Sequence, residues 1–397
     1  MRPKLSSEVI FLFNKLKAMS VLLLFVSVAV ANAQVRIEVT PDSGLQPRLV
    51  NDEQGGLHLL YFKKRLKARS AREGHLYYRE FSHEEKRFGD PVRVSSEAYN
   101  LQTFSIARAS MAVDGDGRVH VVWYLPRDNQ YYYARSDKGR QMFEAQRSMV
   151  ATFSEGIDAG ADIAAMGPNV ALVWGAGDLS NEKERTVYMR ISTDNGKTFG
   201  PESPVGDPDL GACACCSLAA EFTGGDHLAI AYRSAIGGTG RHMQILNLSS
   251  NQNKFSNADV LRAEYEPMQK MREWTMSACP LSTNDIVRSQ EGKSWMAFET
   301  EARTIYKLLG ADIAVSAGEP AKATRQKNPA IAVNSRGEKL VAWGEAISHS
   351  KGGELQVRLV DSNNKQIGVS GLEKIIIPDY SFPAAGSLIT GEFIVLF

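Results

Sequence analysis

Short runs in which apolar and polar residues alternate follow one another along most of the chain, and most of them close on an aromatic side chain. One arrangement recurs. A proline or small residue opens an apolar stretch, a polar turn follows, and an alternating apolar strand ends in Phe, Tyr or Trp. Copies run over 47–62 (PRLVNDEQGGLHLLYF), 107–124, 161–174, 216–232, 279–298 and 328–343, and a seventh, 382–397, closes the sequence. The spacing, roughly 50 to 60 residues, suits a repeat of four short strands and their turns. Period-two alternation bounded by Gly, Asp and Asn predicts strands and hairpins. The DGDG at 114–117 and the glycine pair at 55–56 supply the left-handed positions that tight hairpins need.

A second hairpin follows the first in most copies, as in GHLYYREF, QYYYARSD and TVYMRISTD. Each unit is therefore four strands, A to D. No stretch after residue 33 keeps a helical period over three turns, although 263–273 (AEYEPMQKMRE) is open to either a short helix or a long loop. Four antiparallel strands cannot cover both of their own faces, but units set radially cover one another and leave only short edges. The expected fold is all-β, a β-propeller of four-stranded antiparallel blades. The count favours seven blades, with six as the alternative. The seventh copy stops after its strand B, and the segment 35–40 (VRIEVT) is placed to supply its outer strand and close the ring.

The first 33 residues carry an export pattern. Arg2, Lys4, Lys15 and Lys17 form a basic region, 21–31 (VLLLFVSVAVA) is apolar but too short to cross a bilayer, and Ala31-Asn32-Ala33 is a small-x-small cleavage site. An uncleaved anchor is the alternative, and Met19 is a second possible start. The expected organisation is a signal peptide over 1–33 and one propeller domain over 34–397, exported to the periplasm or beyond, monomeric, with no membrane span after cleavage. The 397 residues are 43% hydrophobic and carry a formal net charge of +1. That length suffices for a large core, and that charge gives no field to draw nucleic acid or an anionic membrane.

The segment Ser192-Thr193-Asp194-Asn195-Gly196-Lys197-Thr198-Phe199 falls where a C–D hairpin belongs. Ser and Asp side chains bond nearby backbone N–H groups there, Gly accepts a positive φ, and the aromatic anchors the turn to its blade. It matches the pattern S-x-D-x-G-x-T-[FW], and in-phase relics stand at 136–143, 82–88 and 249–255. On these residues the chain resembles the sialidase-like propellers with bacterial neuraminidase (Asp-box) repeats, over nearly all of 34–397. The resemblance implies that Ser192, Asp194, Gly196 and Phe199 are structural and lie on the outer rim. It also implies that any enzyme activity would be glycoside hydrolysis of sialidase type. The family's site is not matched, however. A clamp arginine would fall at Leu45, with Arg48 beside it but turned away by strand alternation. Tyr380-Ser381 only partly fits the family's nucleophile motif. Glu299 and Tyr380 are the weak catalytic candidates, and true sialidase activity is not expected.

Loops D–A and B–C of every blade open on one face. Residues there are candidate ligand contacts: Arg127, Asp128, Arg233, Arg241, Trp274 and Glu299. Arg233 and Glu299 follow a strand-B aromatic directly and are expected to face a central funnel, gripping a carbohydrate or another small acidic ligand.

Cys213, Cys215 and Cys216 (CACC) open the fourth unit and Cys279 the fifth, so all four thiols are expected on that same face. In an exported chain the leading expectation is a disulfide from Cys279 to one of the other three. The alternative is a soft-metal site for copper or zinc, with His242, Met243, Met271, Met276 and Trp274 nearby; otherwise no cofactor is expected. The CxCC and CP elements are similar to those of an uncharacterised subgroup of these propellers. Three functions stay open: a glycan-recognising propeller, a non-enzymatic protein-binding scaffold, and a thiol or soft-metal protein.

Overall fold

The computed structural model describes residues 34–397 apart from 69, 71, 159, 251–254, 256–260, 267–272, 319–323, 346–350 and 369–372. The export pattern of 1–33 and Met271 lie outside the described residues.

Seven sheets follow one another along the chain, and the second to the sixth are β-meanders. Their inner strands, A, are Leu45–Asn51, Ser110–Val113, Asp162–Met166, Ala219–Gly224, Asn284–Arg288, Gln326–Val333 and Ala384–Ser387. Each inner strand contacts the inner strands of the next and the preceding blade, and the seventh meets the first. The architecture is thus a seven-bladed β-propeller, and the six-bladed alternative is set aside. The five blades from the second to the sixth have four antiparallel strands each. In the first, three short strands, Arg87–Phe88, Val92–Arg93 and Tyr99–Asn100, all pair with strand C, Glu73–Ser82.

The seventh blade departs from the four-stranded plan. Ala384–Ser387 and Phe393–Leu396 form its hairpin, and Val35–Glu38 adds the third described strand. That strand runs parallel to its neighbour, with Val35 opposite Phe393 and Glu38 opposite Leu396. The N- and C-terminal ends thus close the ring as expected, but in a parallel register. Thr40 strengthens the closure, its backbone N–H and Oγ1 donating to the carbonyl of Phe397 at 3.0 and 2.9 Å.

Strand B is the second from the axis in every blade, so neighbours cover both of its faces. This explains why it reads as a nearly continuous apolar run, as in the buried Val119–Trp123 and Val170–Trp174. The apolar clusters lie between successive blades: Leu60, Phe62, Val119 and Val121 join the first to the second, and Val173, Val187, Phe222 and Ile230 the third to the fourth. Part of the segment left open between helix and loop is a strand, Leu261–Tyr265, at the outer edge of the fourth blade.

Turns carry their own polar support. Asp194 accepts from the Thr198 backbone N–H at 2.9 Å and from Thr198 Oγ1 at 2.6 Å, and Ser192 Oγ accepts from Gly196 N–H at 2.9 Å. Phe199 packs edge-on against Tyr133 of the preceding blade.

Candidate functional site

The axis of the ring is polar. Arg48 of the first blade, Asp162 of the third, Glu221 of the fourth and Asp285 of the fifth all sit on inner strands. Arg48 Nη1 lies 3.0 Å from Asp285 Oδ1, and its Nη2 lies 3.8 Å from Asp162 Oδ1. Asp162 also accepts from Ser110 Oγ and from the Ala220 N–H, and Asp285 accepts from the Ile331 N–H at 3.0 Å. Arg108 caps this layer, donating to the carbonyls of Pro47 and Pro383. One guanidinium therefore ties blades on opposite sides of the channel.

A backbone irregularity puts Arg48 there. Gln46 takes φ 54°, and the pairing with strand B shifts register between Leu45 and Arg48. This bulge cancels the alternation that would have turned Arg48 away from the axis. The same device recurs in the sixth blade, where Asn328 takes φ 54° before Pro329.

The ion-paired layer divides the channel. On the side of the D–A loops only about 20 Å³ of space is left, beside Arg48, Arg108, Asp162 and Asn284. On the other side is a cavity of about 140 Å³. Arg48, Glu221, Asp285 and Arg288 line it, and A–B turn residues such as Asp52, Ser289 and Ser335 form its mouth. Burial in the channel pushes the Glu221 carboxyl up to about 8, against the pull of Arg288 and Arg48, so it is a proton donor at neutral pH. Burial also raises Asp162, while the guanidinium of Arg48 resists. Arg48 itself is raised: burial works against its charge, but chiefly Asp285 and Asp162 outweigh it. The Nε atoms of Arg48 and Arg288 are buried without a hydrogen-bond partner. The cavity is thus lined by two guanidinium groups, that of Arg48 ion-paired, and by a protonated carboxylic acid beside an ion-paired carboxylate.

Of the residues singled out from sequence on the opposite face, Arg233, Arg241, Trp274 and Glu299 come together, but the arginines and the glutamate are not open. Arg233 and Glu299, expected to face a funnel, are 2% and 0% exposed. Each stands at the end of a strand B, Arg233 turning into the contact between blades four and five and Glu299 into that between blades five and six. Arg233 donates to the carbonyl of Arg241 at 2.7 Å, to Ser282 Oγ at 2.9 Å and to the carbonyl of Glu299, and stacks 4.8 Å from the ring of Trp274. Glu299 is ion-paired with Arg325 at 2.8 Å and Lys327 at 3.2 Å. Arg241, also buried, pairs with Glu182 at 2.5 Å, and its N–H donates to the Trp274 carbonyl. Arg127 and Asp128 stand apart on the second blade as an exposed ion pair. Tyr380 packs against the apolar cluster of the first two blades.

The cysteines do come together. Cys215 and Cys279 form a disulfide with Cα atoms 6.4 Å apart, joining the entry loops of blades four and five. Cys213 and Cys216 are free and buried.

The axial residues were missed in the sequence although a signal was present. Arg48, Asp162, Glu221 and Asp285 are charges inside inner-strand segments that otherwise read as apolar or small. Charges on these strands that face inward meet at the axis once the repeats close into a ring.

No family model and no curated protein matches the chain. Solved structures do. A protein of unknown function from Dyadobacter fermentans superposes with a TM-score of 0.51 at 14% identity, covering 82% of this chain and 96% of that one. An alpha-L-arabinanase of Penicillium chrysogenum, complexed with arabinobiose, gives 0.49 at 11% identity, covering 83% and 98%. The Trypanosoma rangeli sialidase gives 0.44 at 12%, covering 80% of this chain and 56% of that one. At these identities the likeness is one of fold.

Proposed function

We propose that this protein is a carbohydrate-recognising propeller whose axial cavity takes one sugar residue of a glycan. The observation that carries this reading is the cavity itself: about 140 Å³, lined by Arg48, Glu221, Asp285 and Arg288, with the Nε of each arginine unpartnered. Its volume is close to that of cavities of ~150 Å³ that admit a six-membered ring. Its walls are charged, so the ring it suits is polyhydroxylated. Sugar hydroxyls can accept from the Arg288 guanidinium and donate to Asp285, while protonated Glu221 donates to an acceptor oxygen. A carboxylate on the sugar gains most from Arg288, which makes an acidic sugar the favoured ligand.

The binding face is then the one formed by the A–B turns. The disulfide between Cys215 and Cys279 supports an exported protein, the setting in which such bonds persist and in which free glycans are met. The test is calorimetric titration of the 34–397 chain with neutral and acidic monosaccharides, compared with Arg288→Ala. Binding that is lost in Arg288→Ala, with the fold unchanged by circular dichroism, is expected. Binding unaffected by that substitution, or no binding across the panel, overturns the reading.

A further inference from the structure

The cysteine cluster takes no part in the axial cavity, and its geometry is more than a cross-link. Cys213 Sγ lies 3.2 Å from Cys216 Sγ, donating to it, and 3.7 Å from Cys215 Sγ. The three sulfurs lie within 4.8 Å of one another. Cys215 is already bonded to Cys279, which is exposed, while Cys213 and Cys216 are buried beneath. Read along the chain, Cys213 and Cys216 have the C-x-x-C spacing of a redox-active dithiol, and the third cysteine within that spacing is one end of a surface disulfide.

We propose that Cys213 and Cys216 form a redox-active dithiol that exchanges with the Cys215–Cys279 disulfide, giving this corner of the propeller a thiol–disulfide exchange activity toward external disulfides.

Exchange needs a thiolate, an attackable sulfur and a leaving group that can be stabilised. The Cys216 thiolate supplies the first indirectly, as the base that takes the proton of Cys213, whose sulfur lies 3.2 Å away and 3.7 Å from Cys215 Sγ. Burial disfavours the charge of Cys216, but the Cys213 thiol donating to it and the cations Arg233 and Lys327 outweigh burial and lower its pKa. Cys213 is shifted the opposite way, chiefly because it is the donor of that bond and also by burial. Two thiols of one pair held in unlike states is the asymmetry that exchange uses.

The steps balance without an added oxidant. Cys213 passes its proton to the Cys216 thiolate and attacks Cys215 Sγ; the Cys213–Cys215 bond forms, the Cys215–Cys279 bond breaks, and Cys279 leaves as a thiolate at the surface. Cys216 then gives its proton, through solvent, to Cys279 and attacks Cys213 Sγ; the Cys213–Cys216 bond forms and Cys215 leaves as a thiolate. The number of disulfides, protons and charges is unchanged. The exposed Cys279, once free, can attack an external disulfide, and Cys215 resolves the mixed disulfide. Cys215–Cys279 is thereby restored, two electrons pass to the external disulfide, and it is released as two thiols.

Two measurements test this. In the first, the Cys215→Ser/Cys279→Ser variant is equilibrated in glutathione mixtures of increasing oxidation and weighed by mass spectrometry. Loss of two hydrogens, marking closure of Cys213–Cys216 in a chain that stays folded by circular dichroism, is expected. Retention of both thiols in the folded chain at every mixture overturns the proposal. In the second, the wild-type chain with its disulfide intact is alkylated under native conditions without reductant. Labelling of Cys279 is expected, and its loss in Cys213→Ser, which lacks the attacking sulfur. If Cys279 in the wild type is never labelled, or if the purified chain holds copper or zinc in stoichiometric amount that shields Cys213 and Cys216, the proposal fails. Should the double variant not fold, the wild-type labelling decides.

Discussion

Arg48 of the first blade reaches across the propeller axis to Asp285 of the fifth, with Nη1 3.0 Å from Oδ1. The same guanidinium faces Asp162 of the third blade, so a single side chain neutralises carboxylates from two other parts of the ring. Removing one partner of such a buried set leaves the others uncompensated. That penalty, rather than the worth of the pair, sets the effect. Arg48→Ala is therefore expected to lower stability by about 3 to 5 kcal/mol, read as a shift in the denaturant midpoint. A change too small to measure would show that water compensates both carboxylates.

Glu221 gives the axis a pH dependence of definite sign. Its carboxyl is pushed up to about 8 in the folded chain by burial, from an ordinary value of 4.5. Between those values the folded state holds a proton that the unfolded state has lost, so stability falls as pH rises through the window. The contribution is fully present below about 4.5 and gone above about 8. Glu221→Gln cannot titrate, so the stability of the wild type relative to this variant is expected to decline steadily from acid to neutral pH. A flat difference across that range would place the carboxyl in contact with bulk water.

Ring closure rests on four residues near the start of the described part of the chain. Val35–Glu38 pairs with Phe393–Leu396, which among the described residues otherwise pairs with its own hairpin partner alone. Without it the seventh blade is a bare hairpin, and a two-stranded hairpin is marginal by itself. Deleting 34–38 is expected to yield aggregated protein or a strongly lowered melting temperature, measured by size-exclusion chromatography and calorimetry. A soluble chain of unchanged melting temperature would mean that the other six blades close without the terminal strand.

The architecture was legible because it is written in repetition: seven apolar hairpins of one spacing need only a ring to satisfy them. The polar site was less so, for a local reason. Strand alternation turns Arg48 away from the axis, and a bulge at Gln46, invisible to a period-two pattern, turns it back. The opposite error was made with Arg233 and Glu299. Their place at the end of strand B was right, but whether such a side chain meets solvent or the next blade depends on neighbours such as Ser282, Arg325 and Lys327, which come from other repeats. The meeting of the four cysteines needed only the order of the loops, and it was anticipated.

Two blades repeat a buried polar motif that suggests the last test. In the second, His120 Nε2 lies 3.0 Å from Asp114 Oδ2 and Nδ1 lies 2.7 Å from the Tyr133 hydroxyl. In the first, His58 makes the same two contacts, with Asp52 at 2.9 Å and Tyr78 at 2.7 Å. Asp and His are six residues apart in both, joining the A–B turn to strand B, and the tyrosine comes from strand C. His120 is wholly buried, and burial lowers its pKa despite the aspartate beside it. The folded state thus favours the neutral ring, and the stability this gives is present above the ordinary histidine value of 6.5 and lost as pH falls below it. Asp114 adds a loss further down: burial alone would raise it, but His120, Asn195 and the Arg118 backbone N–H outweigh burial and lower it. His120→Phe keeps the volume while removing one hydrogen bond from each partner; Asp114 still accepts from Asn195 at 2.9 Å and the Tyr133 hydroxyl still donates to the Gly196 carbonyl at 3.3 Å. Each lost hydrogen bond is worth about 1 kcal/mol, so the variant is expected to lose about 2 kcal/mol at pH 7. Tyr133→Phe, which removes one hydroxyl and orphans only one ring nitrogen, is expected to lose less. Equal losses in the two variants, by denaturant unfolding, would mean that the aspartate is solvated and that the motif holds through the tyrosine alone.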